Sequence, residues 1–459
     1  MRTSQYKQEV RQLVQSGQVQ VAERLCRQVL SEDPESVFCL SFLANQAFSR
    51  GALDESEQWL RRVLLLRSEA IAPWWNLGLI WQRRGEPGKA AACFLMAVKN
   101  APQPEANIEP ALDLALALVS VDRLLAVRWM SWLYSNNPSV AQLPHMKGAP
   151  PNLQRLAAKA GMTLARDRFD RQWRCAESHL RGDPNQGRRV MQFLRYFHGL
   201  ESIEWAHPLQ RPSYHFFPGL RAQPFYALDA PWERVLKSKW REIAREKDRL
   251  LTQEHVLKPY VSEQTPDDPD WKKLEHNLTW TSAHLIKGGV IDDAVAAACP
   301  VTMEAVQALP LARMRDHAPE AFFSILRPGT YIPPHYGLSN LKLTVHLGLD
   351  IPSDCAIKVG QDLGGWRPGE VLIFDDSFHH SAWNHSRKDR AVLITEVWHP
   401  DLHETEQAAL QAIMQEQSDW NRLRQEDEPS GLLAAMEVCL AENIVAIEAI
   451  GNSNAALKS

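Results

Sequence analysis

The stretches "PPHYGLSN" (333–340) and "DDSFHHSAWNH" (375–385) put His335, His379, His380 and His385 where turns meet apolar runs. Neutral imidazole binds Fe, Zn, Cu and Ni, so histidines alone select no metal. His335 and one of the later three form a candidate ligand pair. A third ligand is not evident, because the residue two beyond His335 is Gly337, which has no side chain. The plainer reading of a lone histidine beside a turn is a surface or capping residue.

Non-haem Fe(II) oxygenases hold their metal with two histidines and one carboxylate and leave positions open. Here the histidine-X-carboxylate pattern reads His335, Tyr336, Gly337. Ten residues after His380, Arg390 opens the run "RAVLITEVW". An arginine at a strand start is usually solvated. In an oxygenase that uses 2-oxoglutarate, a planar guanidinium has a specific role, the bidentate pairing with the distal carboxylate of the cosubstrate.

These residues need strands to position them. "AFFSIL" (321–326) reads as a strand and is followed by the turn "RPGT". "NLKLTVHLGLDI" (340–351) alternates throughout. Leu341, Leu343, Val345, Leu347 and Leu349 share one face, and Lys342, Thr344, His346, Gly348 and Asp350 share the other. That second face is either a solvated surface or a pocket wall. "CAIKVG", the turn "RPGE", "VLIF" and "RAVLITEVW" continue the pattern. Short strands joined by Pro-Gly turns predict a sandwich or jelly roll.

The N-terminal third is different. Gly17, Gly51 and Gly85 fall 34 residues apart, as do Ala22, Ser56 and Ala90, and Cys26, Leu60 and Phe94. A sustained period of this length predicts stacked helical hairpins. "WWNLGLIW" carries Trp74, Leu77, Gly78 and Trp81, and this region resembles the tetratricopeptide repeat. The resemblance implies a concave groove for a protein or peptide. An assembly role is the alternative.

The C-terminal blocks also resemble a family. "SILRPGTYIPPHYGLSNLKLTVHLGL", "WRPGEVLIFDDSFHHSAWNHS" and "RAVLITEVWHPDL" are similar to the aspartyl/asparaginyl β-hydroxylases, and the resemblance extends upstream through "FFPGLRAQPFY", "WTSAHLIKGG" and "CPVT" to cover about 200–400. The resemblance implies a double-stranded β-helix that uses Fe(II), 2-oxoglutarate and O2 to hydroxylate an Asp- or Asn-like or other amino-acid residue of a protein or peptide. It implies His335 and His380 as metal ligands with no carboxylate, so that Gly337 fits. It implies Asp376 as a carboxylate near the metal-bound water. Ser324 and Arg390 match the residues at the distal carboxylate of 2-oxoglutarate, and His346 one at its other end. Thr344 departs from the pattern, since an arginine is common there. Lys342, two residues earlier, is expected to supply the charge, as a point charge and not a fork.

The expected organisation is α + β multidomain: helical repeats over 1–138, a helical connector over 139–200, the dioxygenase domain over 201–402 and a helical tail over 403–459. The net charge of −4 gives no electrostatic footprint for nucleic acid. Seven scattered cysteines without a CxxC predict reduced thiols in a cytosol-like compartment. No apolar run approaches the length of a membrane span, and the start "MRTSQYKQEV" predicts no signal peptide. A cytoplasmic hydroxylase whose repeats recruit a protein or peptide is therefore expected. A hydroxylase of a small metabolite, lipid or carrier-bound amino acid, and a non-catalytic interaction protein, are the alternatives.

Overall fold

The computed structural model describes residues 2–103, 107–180, 182, 184–253, 256–262 and 268–453. Residues 1, 104–106, 181, 183, 254–255, 263–267 and 454–459 of the expected segments lie outside these. The chain divides into two compact units, Met1–Asp167 with Arg422–Ser459, and Arg168–Asn421.

The first unit is all helical. Its helices α1 (Arg2–Gln15), α2 (Val19–Glu32), α3 (Val37–Ser49), α4 (Leu53–Leu66), α5 (Ile71–Arg83), α6 (Pro87–Lys99), α7 (Ile108–Leu118) and α8 (Arg123–Asn136) pack in sequence order. The short α9 (Ser139–Gln142) and the long α10 (Pro151–Ala176) follow. The 34-residue glycines end α1, α3 and α5. Gly17, Gly51 and Gly85 have φ of 75–76°, the left-handed conformation that favours glycine. The next residue closes each helix: Gln18 N–H donates to Leu13 O, Ala52 N–H to Ala47 O, and Glu86 N–H to Trp81 O. Ala22 and Ala90 are fully buried, so close helix packing explains their small size. The last helices, α17 (Pro429–Cys439) and α18 (Ala441–Ser453), belong to this unit. Both pack on α6. Arg61 donates to Ile447 O at 2.7 Å, and Arg128 pairs with Asp427. Among the described residues no single helix is long and apolar enough to cross a membrane.

The second unit is built on antiparallel sheets. Its elements are α11 (Pro184–Phe197), β1 (Phe225–Tyr226), α12 (Pro231–Leu250), β2 (Lys258–Pro259), α13 (Pro269–Lys272), β3 (Trp280–Lys287), β4 (Val290–Ile291), α14 (Asp293–Ala298) and α15 (Pro300–Gln307). Then come β5 (Ala321–Leu326), β6 (Thr330–His335), β7 (Lys342–Asp350), β8 (Cys355–Val359), β9 (Asp362–Gly364), β10 (Val371–Phe374), β11 (His380–Asn384), β12 (Arg390–Trp398) and α16 (Glu404–Gln425). The large sheet runs β1-β10-β7-β12-β5-β3-β2, with β4 beside β3, and the small sheet runs β6-β11-β8-β9.

Both faces of the large sheet are covered. Leu343, Val345, Leu347 and Leu349 of β7 pack with Phe323, Leu393 and the α12 residues Leu236, Ile243 and Leu250. Burying one such aliphatic side chain contributes roughly 1.5–3 kcal/mol, so this layer holds the sheet against its helices. The opposite face joins the small sheet: Leu326, Phe374 and Val392 pack with Ile332, Ile357, Val359 and Ala382. The Lys342, Thr344, His346 face is therefore interior, and every β7 residue from Lys342 to Leu349 is buried.

Gly348 allows a close approach that this layer depends on. A Cβ there would lie 2.3 Å from Arg367 O, a backbone atom in the turn that carries Trp366. Gly348→Ala is expected to lower stability by about 1–3 kcal/mol. Gly365→Ala, with no neighbour within 4 Å of its Cβ, is the control. The denaturation midpoints of the two variants check this, and equal midpoints would contradict it.

Candidate active site

The strand ladder sets the central pair. His335 ends β6, His380 begins β11, and the two are cross-strand partners. Their ring centroids are 4.1 Å apart. Each Nδ1 lies 2.8 Å from a carbonyl two residues earlier, Pro333 O and Phe378 O. A carbonyl only accepts, so each Nδ1 carries the proton and each Nε2 keeps a free lone pair. Burial drives both imidazoles down to about 4, with His380 also acting on His335, so both are neutral near pH 7. Two neutral, oriented imidazoles are a metal-ligand pair in form.

The position of Gly337 has a steric cause. A Cβ there would lie 2.4–2.6 Å from the carboxylate atoms of Asp376. Asp376 thus occupies the space that a residue-337 side chain would need. Among the described residues, no group of three His, Cys, Asp or Glu side chains is arranged to hold a metal. Asp376 Oδ1 is buried and has no hydrogen-bond partner among the described residues, and the neighbouring Thr344 hydroxyl favours its charged form. Burial pushes the Asp376 carboxyl above its usual range, and Lys342 opposes that shift. His379 packs beside Tyr336, with ring centroids 5.0 Å apart. His385 stacks on Trp383.

At the other end of this interior face stands Arg390, in register with Leu326 of β5. It is only 2% exposed, and its Nε and Nη1 have no hydrogen-bond partner among the described residues. Its guanidinium lies 4.8 Å from the ring centroid of Trp366. Burial lowers it to about 10. Trp366 Nε1 donates to His346 Nδ1 at 3.1 Å, so in the neutral ring the proton sits on Nε2. Burial and Arg390 together hold His346 well below its ordinary value. Ser324, across from Val392, accepts a hydrogen bond from Trp280 Nε1 at 3.2 Å.

Lys342 is buried and ion-paired with Glu396. Sequence reasoning does not single out Glu396, Trp366 or Trp280. Glu396 was detectable in principle, because Arg390, Val392, Ile394 and Glu396 alternate onto one face of β12. Asp375 is also missed by motif and spacing. It accepts from Ser377 N–H and Gln210 Nε2, and burial lifts it to about 7. Its partners fix the loop that delivers Asp376 and His380.

Comparison with known proteins gives this arrangement a class. Residues 237–400 match the family model described as "Aspartyl/Asparaginyl beta-hydroxylase". An ornithine lipid ester-linked acyl 2-hydroxylase of Rhizobium tropici is 33% identical over 216 residues, covering 46% of this chain and 71% of that protein. Human aspartate beta-hydroxylase domain-containing protein 2 is 30% identical over 211 residues, 45% of this chain and 55% of that one. Human aspartyl/asparaginyl beta-hydroxylase is 30% identical over 197 residues, 42% of this chain and 25% of that one. The chain belongs to the aspartyl/asparaginyl β-hydroxylase family. It spans only about half of the second relative and a quarter of the third. Among solved structures, a DMSP lyase of Ruegeria pomeroyi DSS-3 aligns at 14% identity over 48% of this chain and 94% of that chain, with a TM-score of 0.23, too slight to carry an argument.

The unpaired guanidinium has a measurable consequence. A buried cation without an anion costs several kcal/mol in desolvation. Without added ligand, Arg390→Met is expected to raise the unfolding free energy by about 1–4 kcal/mol. Chemical denaturation of the two proteins checks this. A loss of stability would mean that the guanidinium is already satisfied.

Proposed function

We propose that the chain is an Fe(II)- and 2-oxoglutarate-dependent hydroxylase. Its facing sheets form a double-stranded β-helix, and its N-terminal hairpins act as tetratricopeptide-type repeats that recruit a protein or peptide substrate. The observation that carries the reading is the buried, unpaired Arg390 on the same interior face that the His335–His380 pair joins. A dicarboxylate cosubstrate supplies the anion that Arg390 lacks, and the free Nε2 atoms supply two ligands to a metal.

The residues present fit the cofactors. His335 and His380 would hold the iron, with their Nδ1 protons anchored on backbone carbonyls. Arg390 and Ser324 would hold the distal carboxylate, and the Trp366 ring supports the guanidinium. His346 would donate from Nε2 at the other end of the same molecule, because its Nδ1 is taken by Trp366. Asp376 Oδ1, buried and without a hydrogen-bond partner among the described residues, is poised to accept from a bound water. The chemistry supplied when iron and 2-oxoglutarate are bound is oxidative decarboxylation: O2 and 2-oxoglutarate give succinate and CO2, and one oxygen enters a substrate C–H bond. The protein's share is orientation, open ligand positions and exclusion of water.

A second reading has one specific support. The Rhizobium tropici relative, of which this chain covers 71%, is named as an ornithine lipid hydroxylase. A lipid substrate, with the repeats serving assembly, is therefore the alternative to a recruited peptide.

Purified protein supplied with Fe(II) should form succinate slowly from 2-oxoglutarate without substrate. His335→Ala and His380→Ala should each abolish this, while His379→Ala should retain most of it. Arg390→Met should raise the 2-oxoglutarate requirement at least about 30-fold, the equivalent of ~2 kcal/mol, with little change in the iron requirement. Full turnover in either ligand variant, or an unchanged 2-oxoglutarate requirement, would refute the assignment.

A further inference from the structure

Two indole N–H groups meet the polar side chains around Arg390. Trp366 Nε1 donates to His346 Nδ1 at 3.1 Å, and Trp280 Nε1 donates to Ser324 Oγ at 3.2 Å. All four residues are buried, so water does not compete for these bonds. Each indole is held by its own surroundings. Gly348 lies two residues beyond His346 on the same face of β7. A Cβ there would lie 2.3 Å from Arg367 O, so the missing side chain lets the Trp366 turn come down on His346. The two rings stack, 5.9 Å apart and inclined at 17°. Trp280 is the ladder partner of Leu326, which is also the partner of Arg390. The Tyr260 ring stacks on Trp280 at 4.1 Å.

An indole N–H only donates. His346 Nδ1 must therefore accept, and the neutral ring keeps its proton on Nε2. Ser324 Oγ has one lone pair filled by Trp280, and a hydroxyl that accepts becomes a better donor. Among the described residues, neither Ser324 Oγ nor His346 Nε2 donates to another group. Arg390 Nε and Nη1 are likewise without a partner among the described residues. All three side chains are left with protons to give.

We propose that Trp366 and Trp280 are positioning residues that make this part of the interior face donor-only, and so restrict its ligand to one with acceptors at both ends, a dianionic dicarboxylate. Trp366 is the stricter of the two. Without its N–H the His346 ring can carry its proton on either nitrogen, and the tautomer with a bare Nε2 receives a ligand donor. With the N–H in place, a ligand donor meets a protein donor, and both stay unsatisfied in a buried site. The proposal rests on the hydroxylase reading for which dicarboxylate binds, but not for where the protons sit.

The test uses the full chain, histidine-labelled and free of metal and 2-oxoglutarate. Long-range 1H–15N NMR, with His346 assigned by the signal lost in His346→Gln, should find its proton on Nε2. Trp366→Phe keeps a ring beside Arg390 and removes the N–H, so His346 should become a mixture of tautomers. Ligand-observed NMR titration then compares 2-oxoglutarate with 4-aminobutyrate, which carries an ammonium where the second carboxylate would be. The wild type should bind 2-oxoglutarate at least about 30-fold tighter, and Trp366→Phe should narrow that ratio about tenfold. Trp280→Phe should weaken 2-oxoglutarate binding about fivefold, with no further loss in a Ser324→Ala background, since both changes act through one hydroxyl. A wild-type proton on Nδ1, an unchanged tautomer or an unchanged ligand ratio in Trp366→Phe overturns the proposal. If Trp366→Phe does not fold, the wild-type tautomer and the Trp280–Ser324 cycle decide, and additive losses in that cycle overturn it. Binding of succinate without binding of 2-oxoglutarate, with the Nε2 proton in place, overturns the hydroxylase reading alone. Binding of neither dicarboxylate overturns both.

Discussion

A guanidinium buried between two sheets, with two nitrogens unpaired, is the constraint around which the second unit is organised. Arg390 opens β12, which pairs with β7 on one side and β5 on the other. The Trp366 ring supports it, and a cation–π contact contributes roughly 0.5–2 kcal/mol, less than the desolvation it must offset. The difference comes from the apolar layers, above all the unbroken packing of β7 leucines on α12. Trp366 acts twice, since its ring faces Arg390 while its indole N–H fixes the tautomer of His346. One aromatic residue thus holds both polar groups at that end in defined states.

The absence of a carboxylate two residues after His335 comes from the same crowding. Gly337 N–H donates to the Asp376 backbone carbonyl at 2.7 Å, which draws the two segments together. The Asp376 side chain then fills the volume a larger residue would occupy. A carboxylate is present near the histidines, but it comes from the other segment. Its negative charge acts on the site without occupying a ligand position on the His335 strand.

The sequence made some of this legible and concealed the rest for identifiable reasons. Perfect alternation from Leu341 to Leu349 marked β7, and the Pro-Gly turns marked its neighbours, because period two and turn chemistry are local signals. β6 was hidden by Pro333 and Pro334, which remove ladder donors. The fold tolerates them because β6 is the edge of the small sheet. The 34-residue period was visible because each repeat places a glycine at the same left-handed turn. The placement of the last helices was not visible, since Arg61–Ile447 and Arg128–Asp427 are pairings across hundreds of residues. For the site, residue types at the His335–His380 and Arg390 positions were readable, but the state of Lys342 was not. Its charge was evident; its partner, Glu396, is set by strand register.

Register also separates the two charged ends. Arg390 and Glu396 lie six residues apart on one strand, about 20 Å at the usual rise. Lys342 and Glu396 lie near each other because Thr344 is the ladder partner of Glu396 and Trp398 that of Lys342. Between the ends, Thr344 is opposite Phe374, whose ring lies 5.9 Å from His380 and 5.0 Å from His346. The histidine pair therefore meets the large sheet midway, between the Arg390 guanidinium and the Lys342–Glu396 ion pair. At that separation neither end can neutralise the other. A ligand anion at Arg390 would therefore leave the Lys342–Glu396 pair, on the far side of the two imidazoles, unchanged.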